Sequence, residues 1–342
     1  MTSIVPSKPP RPDSNNPAAS PSLAATDSRL ALFPVSFFAM VMGLTGWTIA
    51  WSKTETHLAL PFHVSPYLLG FSATVFVVLI LLYTAKILVC RPAVIQELRH
   101  PVKLNFFSTI SIGLILLAIG TLHVAPDLSR WLWHVGAIVH LGFTFYIMGI
   151  WVNQTTYEIT HLNPAWFIPV VGNILVPIAG VEHTSNEIAW FFFSIGLVFW
   201  IVLFTVIFYR VIFHHPLPER LVPTFFILIA PPAVGFISYI KLNDGLDHFA
   251  RILYYCALFL TLLLATQFGK FARLRFFISW WAYSFPLAAM TIATWLMFEH
   301  TGMMEFKYLA VFLIAVLSLI VVGLTIRTLL AIVRREICIE EV

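Results

Sequence analysis

Apolar residues run along this chain in long, uniform stretches, separated by short polar breaks. A helix that crosses a bilayer needs about 20 mostly apolar residues. Ten stretches qualify, at 31–51, 66–89, 104–124, 128–152, 164–181, 187–210, 221–241, 247–269, 276–298 and 306–333. They predict ten membrane-spanning helices, the fifth and seventh interrupted by prolines. The stretches are too long and too uniform for the short alternating strands of a membrane β-barrel. Residues 1–28, rich in Pro, Ser, Ala and Asn, hold no apolar run. They predict a disordered cytoplasmic tail without the apolar core of a signal peptide, with a docking or phosphorylation segment as the functional alternative. The ten-helix domain then covers 29–335, and a short cytoplasmic tail covers 336–342.

Composition sharpens this picture. Of 342 residues, 59% are apolar and 11% charged, against roughly 25% charged in a soluble domain. A water-facing surface cannot be built from so few charges. The breaks set the orientation. With the N-terminus inside, fifteen of the 20 Lys and Arg fall on the cytoplasmic side and five outside: Lys53, Arg130, Lys241, Arg251 and Lys307. The positive-inside rule therefore places both termini in the cytoplasm, in a cell membrane. Short outer breaks make five hairpins, 1–2, 3–4, 5–6, 7–8 and 9–10. The excess of four positive charges forms no basic stripe interleaved with aromatics, which argues against nucleic acid. Cys90, Cys256 and Cys338 match no disulfide, metal or redox spacing.

Prolines divide the helices into two sets. Pro34, Pro169, Pro177, Pro223, Pro231, Pro232 and Pro286 fall in odd-numbered stretches, and the even ones carry none in their interiors. Interior proline kinks a helix, and membranes tolerate this where neighbours or a watery cavity satisfy the freed backbone. The pattern predicts bent odd helices around a pathway, scaffolded by straight even ones. Ionisable residues are nearly absent from the spans. Lys86 and Glu182 lie near span ends. His134 and His140 lie deeper, six residues apart and so on different faces of one helix. Haem ligation needs histidines facing across two helices, and the only other one nearby, His123, is at a helix end. Each histidine is expected to bond a neighbouring helix. No metal cluster, nucleophile with a nearby base, or Walker-type loop is present in the sequence. The reading is a passive pathway with no cofactor, not an enzyme.

The segment SWWAYSFPLAAMTIAT at 279–294 resembles a hallmark helix of the tellurite-resistance/dicarboxylate transporter family, which includes bacterial TehA channels and plant slow-type anion channels. HLNPAWFIPVVGN at 161–173 is similar to that family's fifth helix, IAPPAVGFISYI at 229–240 to its seventh and PVKLNF at 101–106 to the start of its third. The resemblance covers about 29–335. It implies an all-α integral membrane protein with five helical hairpins in quasi-fivefold arrangement around a central pore, and a homotrimer. It also implies a gate, a phenylalanine plugging the pore, here Phe285. A large apolar ring excludes ions together with their water. Helix 3 departs from the pattern, with Ser111 where a kinking proline is familiar. Ser36, Thr45, Ser111, Asn173, Ser238 and Thr291 are the candidate polar lining, interhelical bonding being their alternative role. The function implied is a channel for small monovalent anions, nitrate and chloride. Alternatives are a carrier of malate-like dicarboxylates, sulfite or tellurite-like oxyanions, and a membrane redox subunit using His134 or His140. A dicarboxylate carrier calls for a buried cation to pair with its substrate.

Overall fold

The computed structural model describes residues 29–154 and 157–338. The expected tail at 1–28 and most of that at 336–342 lie outside the described residues. Ten helices are long and apolar enough to span a membrane: α1 (Val35–Leu58), α2 (Ser65–Val89), α3 (Lys103–Thr121), α4 (Pro126–Asn153), α5 (Pro164–His183), α6 (Asn186–Phe213), α7 (Glu219–Asn243), α8 (His248–Thr266), α9 (Ile278–Thr301) and α10 (Met304–Val333). No strand occurs among the described residues. The first helix outruns its expected end at 51 by seven residues, because its polar final turns are occupied. Glu55 accepts hydrogen bonds from the backbone N–H of Val64 (2.6 Å) and Ser65 (2.8 Å) and from the Ser65 hydroxyl (2.6 Å), which caps α2.

The five hairpins pair as expected, and each odd helix also packs on the next odd helix, with α9 closing on α1. An inner ring of odd helices and an outer ring of even ones result. Between 67% and 83% of each odd helix's apolar window is buried, against 22–33% for each even one. Composition alone hides this division, since the even helices are as apolar as the odd. Their apolar surface faces lipid, as Ile138, Phe145, Val198, Ile201 and Leu319 do.

The prolines act differently from the kinks expected of them. Every odd helix starts with a 3₁₀ segment: Val35–Phe38, Lys103–Phe107, Pro164–Trp166, Glu219–Ile229 and Ile278–Tyr283. Helix α5 has a second, Gly172–Leu175. The even helices are α-helical throughout. Pro34 precedes the first 3₁₀ segment, and Pro223 lies inside the fourth. Pro231 and Pro232 open the α-helical part Ala230–Asn243, Pro177 opens Pro177–His183, and Pro169 and Pro286 are third residues of Phe167–Val171 and Ser284–Thr301. N–H groups of a first turn have no i−4 partner within the α-segment, so proline costs little there. Most of these prolines thus mark where a tight helix relaxes into an α-helix, instead of breaking one in its middle.

Indole N–H groups hold the rings together. Trp295 donates to Thr54 (2.8 Å), Trp281 to Thr328 (3.0 Å), Trp133 to the Val176 carbonyl (2.9 Å), and Trp47 and Trp51 both to Ser318 (2.9 and 3.1 Å). Each satisfies a buried or half-buried donor that lipid could not.

Candidate functional site: an apolar cavity inside the inner ring

All five odd helices contribute to one cavity of about 80 Å³. Helix α1 presents Ala39 and Met42, and α3 presents Phe106, Thr109 and Ile112. Helix α5 gives Phe167, Ile168, Val171, Gly172, Ile174 and Leu175, and α7 gives Ile227, Ala230, Pro231 and Val234. Trp281, Ala282, Phe285 and Pro286 complete the wall from α9. The spacing on α3, every third residue, is what the 3₁₀-to-α passage produces. The cavity sits where the 3₁₀ segments give way to α-helix on four of the five helices, and on α5 along Phe167–Val171 and the second 3₁₀ segment, Gly172–Leu175.

The wall carries no charged side chain. Its one hydroxyl, Thr109, donates to the Phe106 carbonyl at 2.6 Å, and the Trp281 indole N–H points away to Thr328. Phe285 is half-buried in this wall, on the face of α9 turned to the cavity. Its other side rests on α1. A Cβ built on Gly46 would lie 3.3 Å from the Phe285 ring, and one on Gly43 would collide with the Ser284 hydroxyl at 2.0 Å. Two glycines one helical turn apart thus let α1 and α9 approach at the level of the ring.

Of the expected kink residues, Pro231 and Pro286 line the cavity, while Pro34, Pro169, Pro177 and Pro232 lie outside its wall. None of the six candidate polar residues reaches it. Ser111 donates to the Ser108 carbonyl at 2.9 Å, the back-bonding that serines use inside helices, and lies 2.9 Å from His140 Nδ1. Asn173 donates to the Thr144 hydroxyl (2.9 Å) and the Val170 carbonyl (2.8 Å). Ser238 donates to the Ile174 carbonyl, joining α7 to α5, and Thr291 donates to Leu287 within α9 at 2.7 Å. Thr45 is buried, and Ser36 is half-buried in its 3₁₀ turn. Interhelical or backbone bonding thus accounts for four of the six. Thr109 was missed, although Phe106, three residues earlier, sets its register.

His140 is fully buried between α3 and α5, as a bond to a neighbouring helix requires. His134 differs from expectation. It bonds the Arg130 carbonyl of its own helix at 2.8 Å. Buried charges exceed what the spans promised. Lys86 is 1% exposed and Arg210 4%. Both lie near span ends but reach inward to backbone oxygens. Lys86 donates to the Phe33 carbonyl at 2.7 Å, and Arg210 to the carbonyls of Ile159 (2.7 Å) and Thr160 (3.3 Å). Neither lines the cavity. No group of three or more His, Cys, Asp or Glu that could hold a metal occurs among the described residues.

The sequence model of the SLAC1 family, described as voltage-dependent anion channel, matches residues 32–329. The chain is 28% identical over 308 residues to the S-type anion channel SLAH3 of Arabidopsis thaliana, covering 88% of this chain and 48% of that one. It is 30% identical over 272 residues to SLAH2 of the same plant, covering 78% and 52%. A tellurite resistance protein TehA homolog of Haemophilus influenzae is 25% identical over 264 residues, covering 75% and 79%. The chain therefore spans about half the length of the two plant relatives.

Proposed function

The chain belongs to the SLAC1 family of voltage-dependent anion channels, and from that premise we propose that it conducts small monovalent anions, nitrate and chloride, through the inner ring, with Phe285 as the gate. One observation carries the reading. Phe285, one of four aromatic residues in the wall of an uncharged cavity to which all five odd helices contribute, is half-buried against Gly46. A narrow apolar passage blocked by such a ring excludes ions by excluding their water. Rotation of the ring about its side-chain torsions would clear the passage without unpacking a helix.

Electrostatics favour anions in two ways. The five odd helices run parallel, so the positive ends of their dipoles converge at one mouth. The same mouth carries the surplus of Lys and Arg. With no cation on the cavity wall, binding inside stays weak, as conduction requires. The same lack disfavours a dicarboxylate carrier, because Lys86 and Arg210 are engaged elsewhere. We place the protein in the cell membrane with both termini cytoplasmic, as a homotrimer whose even helices meet lipid and neighbouring copies.

The test is current through Phe285→Ala in planar bilayers, against wild type, in nitrate and chloride salts. The expected result is a quiet wild type and a large basal current in the variant, reversing near the anion equilibrium potential. An equally quiet variant that is folded and inserted would overturn the gate. A cation reversal potential would overturn the selectivity.

A further inference from the structure

Between α2 and α3 lies a short helix, Arg91–Arg99, that the ten-span pattern left unpredicted. Only Cys90 separates it from the end of α2, and three residues carry it into α3, so it is held at the edge of the membrane-spanning region. Its two faces differ. Arg91, Ile95, Gln96 and Arg99 are exposed, and the adjoining end of α2 exposes Leu88 and Val89. Arginines interleaved with exposed aliphatic side chains, at the end of a span, are the composition of an element that lies in a lipid headgroup layer. Neither arginine forms an ion pair among the described residues.

The inner face is tied to the protein through a buried charge. Glu97 Oε2 accepts from Lys86 Nζ at 3.0 Å and from the Tyr83 hydroxyl at 2.8 Å. Lys86 Nζ also donates to the Phe33 carbonyl at 2.7 Å. Phe33 stands directly before Pro34 and the 3₁₀ turn that starts α1, and Ala39 and Met42 on α1 line the cavity. One lysine therefore joins the surface helix to the first element of the inner ring.

We propose that the outer face of Arg91–Arg99 binds the headgroup phosphates of anionic phospholipids, and that Glu97, Lys86 and the Phe33 carbonyl pass that occupancy to α1. The second half rests on the inner ring being the pathway; the first does not. The ligand is a lipid, not free phosphate, because the arginines are flanked by Leu88, Val89 and Ile95, which only a molecule with both a phosphate and an acyl chain satisfies together. Two arginines make a weak, reversible site that reads leaflet charge. Lys86 suits the relay because it is held at both ends, and any tilt of the short helix must stretch one of its two bonds or move Phe33.

Binding is read by native mass spectrometry of the full chain in detergent with mixed phosphatidylglycerol and phosphatidylcholine. Coupling is read by nitrate flux through the wild type, which should be quiet in phosphatidylcholine vesicles and rise when phosphatidylglycerol is a minority component; no rise overturns the relay. Wild type is expected to retain phosphatidylglycerol preferentially. Arg91→Gln with Arg99→Gln should lower that retention by roughly five-fold per arginine and abolish the flux response to the anionic lipid. Lys86→Met with Glu97→Gln leaves no buried charge unpaired. It should keep the lipid and lose the flux response. Equal retention by wild type and the arginine variant overturns the binding, as does displacement of the lipid by inorganic phosphate. A preserved flux response in the Lys86/Glu97 variant overturns the relay. Lipid counts stand whatever the currents do, so a failed gate and a failed lipid site are distinguishable.

Discussion

The Phe285 ring is positioned by an absence, the missing side chain of Gly46. A methyl there would stand 3.3 Å from the ring and 3.0 Å from Ala288 Cβ, so α1, α9 or the ring must give way. Overpacking of this kind costs about 1–3 kcal/mol. If it falls on the closed ring, Gly46→Ala raises basal current by about five- to 150-fold and adds nothing when Phe285 is already alanine. Additive currents in the double variant would show that Gly46 acts elsewhere. Gly43→Ala is the contrasting case. Its methyl meets Ser284 in the helix contact itself, so the expected result is a lower melting temperature with the protein still quiet. A specific motif singles out Phe285 in the sequence, and the structure puts that residue in the cavity wall. Gly46 was not legible there, since a glycine's role lies in what packs against it. Ser111 and Asn173 carried two expectations, lining or interhelical bonding, and burial sends polar groups toward partners.

At the scale of elements, span number, hairpin pairing and the odd–even division were readable, because run length and proline placement are local signals. The 3₁₀ segments were not. Proline reports a lost N–H without saying whether a kink or a change of helix type follows. The helix Arg91–Arg99 escaped because nine residues are too few for a span and its anchor, Lys86, lies on another element. That anchor makes a stability prediction. Lys86→Met strands Glu97 at 7% exposure with only the Tyr83 hydroxyl, and breaking a buried pair this way costs about 3–5 kcal/mol. Removing both charges should restore most of the lost melting temperature. A single variant as stable as wild type would mean that water reaches Glu97. Asp247 offers a pH test at the start of α8, outside the spans. The Ala250 N–H (2.8 Å) and the Tyr239 hydroxyl (2.6 Å) hold its carboxyl below the usual range of about 3.8. A lowered folded pKa means the cap's contribution is complete above the unfolded value and is lost as pH falls through the folded one. Melting temperature should therefore fall on acidification below pH about 4 more steeply in wild type than in Asp247→Asn.

The whole molecule poses a charge problem that its ring arrangement answers. An anion entering the cavity leaves water for a wall of aliphatic and aromatic carbon, with Thr109 the one hydroxyl and no cation to meet it. Nothing in that wall replaces a hydration shell. Discrimination must then follow the cost of dehydration, and that cost is lower for a large anion with dispersed charge than for a compact one. On the proposed pathway, what would draw anions in lies outside the wall, in the parallel helix dipoles and the basic mouth, and these act alike on anions of equal charge. Once Phe285 is alanine, nitrate should therefore be more permeant than chloride, and malate, with two charges, least of all. Raising ionic strength should cut conductance by screening the mouth while leaving the nitrate-to-chloride permeability ratio unchanged, because the dry wall is not screened. Reversal potentials in mixed salts at two ionic strengths decide it. A ratio that changes with salt would move selectivity from the cavity to the mouth, and chloride ahead of nitrate would mean that the wall supplies a polar group this conformation keeps turned away.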